Sequence, residues 1–178
     1  LPPDGMAFLN IDNPHIRGRA VTNVPVCAYG VDSGDYTAAD IVVDNTGCSF
    51  TVTTPDGESR RFTTKLLGAH NIQNLVGCIA VAHKLGISLT ELVYPVRMLK
   101  PVEHRLQLLP NGFIDDAYNS NPAGFRGALD VLRGFDAQRV LVTPGMVELG
   151  ERQDALNREL GAYAADCCDY AVLVGEKQ

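Results

Sequence analysis

The 178-residue chain carries 15 Lys and Arg against 21 Asp and Glu, for a net charge of −6, with 46% apolar and 20% charged residues. This is the composition of an ordinary globular protein, long enough for one large or two small domains. An acidic balance without a basic cluster argues against a nucleic-acid backbone as the main partner, and no apolar run approaches the ~18 residues needed to span a bilayer.

Residues 6–12, MAFLNID, read as a strand ending in a polar turn. The chain enters this strand almost at once, without a starting Met or a signal peptide, and ends just after another strand, so a segment of a longer protein is expected. From about 18 to 66 the pattern is β-like: AVTNVPVCAYGV, DIVVDN and GCSFTVTTPDGESRRFTTKLL, with PDG at 55–57 as a hairpin turn between two alternating runs. Ile72, Leu75, Val76, Ile79 and Ala80 recur at helical spacing over 70–85. A short helix follows near 88–99, with Ser88 and Glu91 at capping-box spacing and Pro101 stopping it. After LKPVEHR the texture changes. GFIDDAY, RVLVTPG and YAVLVGE read as apolar strands. They alternate with a helix capped by Asn121 and Pro122 and another over 151–166. The alternation predicts an α/β chain whose second part carries a parallel, Rossmann-like sheet. The domains are expected at 1–105 and 106–178. Cys27, Cys48, Cys78, Cys167 and Cys168 have no CxxC or zinc spacing and read as reduced structural thiols.

Ligands of open parallel sheets bind at the carboxyl ends of strands, so the polar residues there are the candidates. In NIDN, Asn10 and Asp12 fit a plain turn before Pro14 as well as a site. In DDAYNSNP, a strand-to-helix turn explains Asn121 and Pro122. It does not explain the paired Asp115 and Asp116 beside Tyr118 and Asn119. At the mouth of the first helix, Asn71 and Asn74 lie three apart on one face. A cap needs one Asn, not two, which favours a binding role; His70 fits a cap or a ligand contact. His15 and His83 read as surface residues, His104 as linker polarity, and Arg105 as a surface ion pair or more. Neither GxxxxGK[ST] nor GxGxxG occurs, so this chain alone is not expected to cradle a triphosphate.

GAHNIQN, the later HR, DDAYNSNP and ELG, in that order, resemble the Mur ligase family, the ATP-dependent amino-acid ligases of peptidoglycan precursor synthesis. DDAYNSNP and TPGMVELG are most similar to the D-alanyl-D-alanine-adding branch, although TPGM replaces the more usual LGDM and Asn157 stands where that branch often has His. The resemblance implies the second half of a central ATPase domain followed by most of a Rossmann-like C-terminal domain. The phosphate loop and magnesium-binding residues would lie upstream of Leu1. It implies that His70, Asn71 and Asn74 face the adenine side of ATP. Arg105 and Asp116 would hold the ribose and close the second domain over the nucleotide, with Tyr118 near the base; Asn10, Asp12 and Asn119 are further possibilities. The implied cofactors are ATP and Mg2+, and the implied substrates a UDP-muramoyl-tripeptide and D-Ala-D-Ala. The implied protein is a cytoplasmic monomer of cell-wall synthesis, without nucleic-acid or membrane partners. Its rivals are a D-Glu-, diaminopimelate- or Lys-adding ligase, a non-catalytic subunit on the same fold, and a generic NAD module, which the missing GxGxxG opposes.

Overall fold

The computed structural model describes residues 1–19 and 23–175. Residues 20–22 of the expected strand AVTNVPVCAYGV, and Glu176 of YAVLVGE, lie outside the described residues. The chain divides into two compact units, Leu1–Lys100 and Pro101–Gln178.

Among its described residues the first unit is a five-stranded sheet with two helices. Strands β1 (Ala7–Asn10), β2 (Val26–Gly30) and β3 (Tyr36–Asp44) run parallel. β4 (Gly47–Thr53) and β5 (Ser59–Thr64) continue the sheet antiparallel, in the order β1-β2-β3-β4-β5. The Thr54–Glu58 turn joins β4 and β5 as PDG requires: Gly57 has φ 88°, and its N–H donates to the Thr54 carbonyl at 3.0 Å. In β4, Cys48, Phe50 and Val52 alternate inward and give one buried face. Helix α1 (Ala69–Lys84) lays Ile72, Leu75, Val76, Ile79 and Ala80 on that core, where full burial of each large aliphatic side chain is worth about 1.5–3 kcal/mol. Helix α2 (Leu89–Met98) starts with the complete Ser88–Glu91 capping box and carries Pro95 within it.

His83 is not a surface residue. Tyr36 is 1% exposed, and its hydroxyl lies 2.7 Å from His83 Nδ1. A buried phenol needs a partner, and the last turn of α1 provides it.

Among its described residues the second unit holds two small sheets. β6 (Gln107–Leu108) and β7 (Ile114–Asp115) form an antiparallel hairpin. Thus GFIDDAY contributes a two-residue strand that pairs with the linker sequence before it, in place of the parallel partner its apolar character predicts. β8 (Val140–Thr143) and β9 (Tyr170–Leu173) are parallel. Asn121 caps α3 (Pro122–Arg133), accepting from Gly124 N–H at 2.9 Å with Pro122 at the first helical position. A 3₁₀ turn (Gly150–Arg152) leads into α4 (Gln153–Ala165). Leu129, Ala164 and Cys167 form the small core between these helices and the sheet.

Candidate functional site

In the first unit the candidates cluster at the mouth of α1. The N-cap position is Gly68, with φ 88° and no side-chain cap bond. Neither asparagine is therefore the cap. Asn71 uses its Nδ2 to grip the Leu67 carbonyl at 2.7 Å, which orders the side chain and leaves its carbonyl oxygen as an acceptor. Asn74 and His70 are exposed on the first turns, and no acidic side chain stands there.

The polar end of β1 reaches the same helix. Asp12 Oδ2 accepts from Val31 N–H at 2.5 Å and from Gln73 Nε2 at 3.4 Å. Its Oδ1 is buried without a hydrogen-bond partner among the described residues. Gly30 permits this approach, since a Cβ there would lie 2.5 Å from Asp12 Oδ1. Asn10 has the plainer role: its Oδ1 accepts from Asp12 N–H at 3.1 Å, forming an Asx turn. Gln73, which joins Asp12 to α1, carried no motif signal in the sequence.

In the second unit the linker HR and the turn DDAY are bonded together. His104 Nδ1 lies 2.8 Å from Asp115 Oδ2, and Ala117 N–H donates to Asp115 Oδ1 at 3.1 Å. The His104 bond, followed by the Ala117 bond, holds the Asp115 carboxyl below its usual pKa. Leu106 N–H donates to Asp116 Oδ1 at 3.0 Å, and Tyr118 N–H donates to the His104 carbonyl at 3.1 Å. The Arg105 guanidinium sits 4.3 Å from the centroid of the Tyr118 ring, an attraction of about 0.5–1 kcal/mol at an exposed position. His104 and Leu106, on either side of Arg105, have φ of 62° and 44°. Left-handed backbone costs L-residues roughly 1–2 kcal/mol each, and these bonds offset that strain.

Arg105, Asp116 and Tyr118 are thus brought into one small cluster. Asn119 is exposed beyond it, and Asn121 is occupied as a helix cap. Asp115, singled out in the sequence as one of a pair, belongs to the cluster together with His104, which read only as linker polarity; their pairing depends on a backbone turn that spacing does not reveal. Chemically, the cluster offers a forked cation, an aromatic face and a carboxylate, groups suited to phosphate, base and ribose hydroxyls. Among the described residues no three His, Cys, Asp or Glu side chains converge as a metal site.

The profile of the Mur ligase middle domain matches residues 1–82, and that of the Mur ligase glutamate ligase domain matches residues 104–178. The UDP-N-acetylmuramoyl-tripeptide–D-alanyl-D-alanine ligase of Haemophilus influenzae is 34% identical over 169 residues, covering 92% of this chain and 36% of the relative. The chain therefore spans little more than a third of that protein's length. The crystal structure of MurF from Acinetobacter baumannii superposes with a TM-score of 0.86 at 31% identity, over 99% of this chain and 40% of that one. The MurF ligase of Thermotoga maritima, solved in complex with ADP, shares the fold with a TM-score of 0.85 at 22% identity, over 99% of this chain and 42% of that one. With a profile from this one family on each unit and the same fold in these structures, the chain belongs to the Mur ligase family.

Proposed function

We propose that this chain is part of an ATP-dependent ligase that joins D-Ala-D-Ala to a UDP-muramoyl-tripeptide. The observation that supports this most directly is the similarity, along almost the whole chain, to the D-alanyl-D-alanine ligase of Haemophilus influenzae and to MurF of Acinetobacter baumannii. In the proposed reaction, a terminal carboxylate oxygen of the tripeptide attacks the γ-phosphorus of ATP, and ADP leaves. The dipeptide amine then attacks the acyl carbon, and phosphate leaves as the nitrogen loses a proton.

Each unit has its own part in handling ATP. Asn71 and Asn74, with His70, address the base, since an amide both donates and accepts. Asp116 accepts from ribose hydroxyls, and Arg105 meets the phosphates or the ribose. Tyr118 offers its ring to the base. The phosphate loop and Mg2+ ligands are supplied by other parts of the ligase, because no GxxxxGK[ST] occurs in these 178 residues. ATP as co-substrate, together with five free cysteines, supports a cytoplasmic setting; among the described residues no helix is long and apolar enough to cross a membrane.

The test is an acceptor panel on the full-length ligase that contains this chain. ADP release should require both the UDP-muramoyl-tripeptide and D-Ala-D-Ala. Release with D-glutamate, lysine or diaminopimelate on the shorter UDP-muramoyl precursors, and none with D-Ala-D-Ala, would assign the chain to another branch of the family.

A further inference from the structure

We propose that His104 and Asp115 are positioning residues that hold Arg105 in its working orientation against Tyr118; this rests on the nucleotide role given to Arg105 above. Arg105 is the middle residue of three, and both neighbours are non-glycine residues with left-handed backbone, φ 62° at His104 and 44° at Leu106. Such a turn projects the central side chain in a direction that a relaxed, extended linker would not give it. The turn is fixed at each shoulder. On one side the His104 ring bonds Asp115 through Nδ1 and Oδ2 at 2.8 Å, while its carbonyl accepts from Tyr118 N–H at 3.1 Å. On the other, Leu106 is 5% exposed and donates its N–H to Asp116 Oδ1 at 3.0 Å. The His104 carbonyl bond also ties the backbone of Tyr118, the residue whose ring lies 4.3 Å from the Arg105 guanidinium. His104 therefore acts on both partners of the cation–aromatic contact, through its ring bond to Asp115 and through its backbone carbonyl. Arg105 is exposed, with a long side chain that loses much rotamer freedom when fixed. Holding it in place before a ligand arrives lowers the cost of binding.

The experiment separates positioning from mere stability, because glycine is at ease where His104 is strained. His104→Gly should melt no lower than wild type or slightly higher, yet release Arg105. In NMR spectra of the 178-residue chain, the Arg105 side-chain methylene protons should be shifted upfield by the Tyr118 ring. Tyr118→Leu should abolish that shift. His104→Gly and Asp115→Ala should reduce it strongly, and His104→Asn, which tolerates the left-handed backbone and can donate to Asp115, should restore it. In the full-length ligase, His104→Gly and Asp115→Ala should raise the KM for ATP by roughly fivefold with kcat little changed. They should follow Arg105→Ala in direction, with His104→Asn near wild type. Retention of the ring shift in both His104→Gly and Asp115→Ala overturns the proposal. An unchanged KM in Arg105→Ala removes the nucleotide role of Arg105, and with it the effect claimed for the pair on ATP, while the NMR comparison still decides whether the pair orients the side chain.

Discussion

Asn157 bonds the backbone of Met146 on both sides: its Oδ1 accepts from the Met146 N–H and its Nδ2 donates to the Met146 carbonyl, each at 2.8 Å. The same Nδ2 also reaches the Gln153 carbonyl at 3.1 Å. One amide on α4 thereby fixes the loop that leaves the carboxyl end of β8, with the Met146 side chain 2% exposed beneath it. Asn157→Ala leaves these half-buried backbone groups without their partner, at an expected loss of about 1–3 kcal/mol. Asn157→Asp keeps the acceptor and loses the donor, and should fall between. Urea denaturation checks both; an alanine variant as stable as wild type would show that water replaces the amide without loss.

The Tyr36–His83 contact gives a pH signature. Burial, with smaller contributions from Cys27, Asp56 and Asp35, pushes the Tyr36 hydroxyl up to about 12. Because the folded value is raised, the neutral phenol is favoured in the fold. Its contribution is fully present below the unfolded value near 10 and is lost as pH rises through 12, an effect on the order of 2 kcal/mol. Tyr36→Phe should cost about 1 kcal/mol at pH 8 through the lost hydrogen bond, and should lose less stability than wild type between pH 10 and 12. Parallel stability–pH curves for the two proteins would contradict this assignment.

Local signals were legible in the sequence. The Ser88–Glu91 box, the Asn121–Pro122 start of α3 and the PDG hairpin all formed as read, because each is settled within four or five residues. The apolar stripe of α1 was equally plain. What escaped depends on backbone geometry or on partners distant in sequence. GFIDDAY opens with an apolar run, but β7 within it pairs with β6 because the linker folds back on it. His83 sits at a helix end like any solvated residue until Tyr36, 47 positions earlier, arrives beneath it. The amides of Asn71 and Asn74 were visible as an anomaly. That Gly68 holds the cap position required the backbone.

Two glycines test the packing around the candidate site. A Cβ at Gly77, on the buried face of α1, would lie 2.7 Å from Tyr29 Cζ. One at Gly30 would lie 2.5 Å from Asp12 Oδ1 and 2.7 Å from the Ser33 carbonyl oxygen. Gly77→Ala displaces an aromatic ring and should destabilise by about 1–3 kcal/mol. Gly30→Ala presses on a carboxylate and a backbone oxygen, which give less readily, and should cost at least as much. Thermal melts of both variants check the ranking.

The 178-residue chain alone should neither hydrolyse ATP nor bind it tightly, because it contains no phosphate-loop motif. Isothermal calorimetry is the measurement. Sub-millimolar binding of ATP by this chain would mean that its own residues hold the phosphates, contrary to the division of labour proposed.

Steady-state kinetics of full-length Asn74→Ala and Asp116→Ala, with thermal melts to confirm folding, test whether the mouth of α1 and the DDAY turn each contact the nucleotide as proposed. Loss of one hydrogen bond to a neutral ligand group costs on the order of 1 kcal/mol, and more where a buried group loses its partner. The KM for ATP should therefore rise by roughly fivefold to tenfold in each variant, and Asp116→Ala should also lower kcat. Folded variants with unchanged KM for ATP and unchanged kcat would contradict the assignment and return these residues to the roles of helix surface and turn.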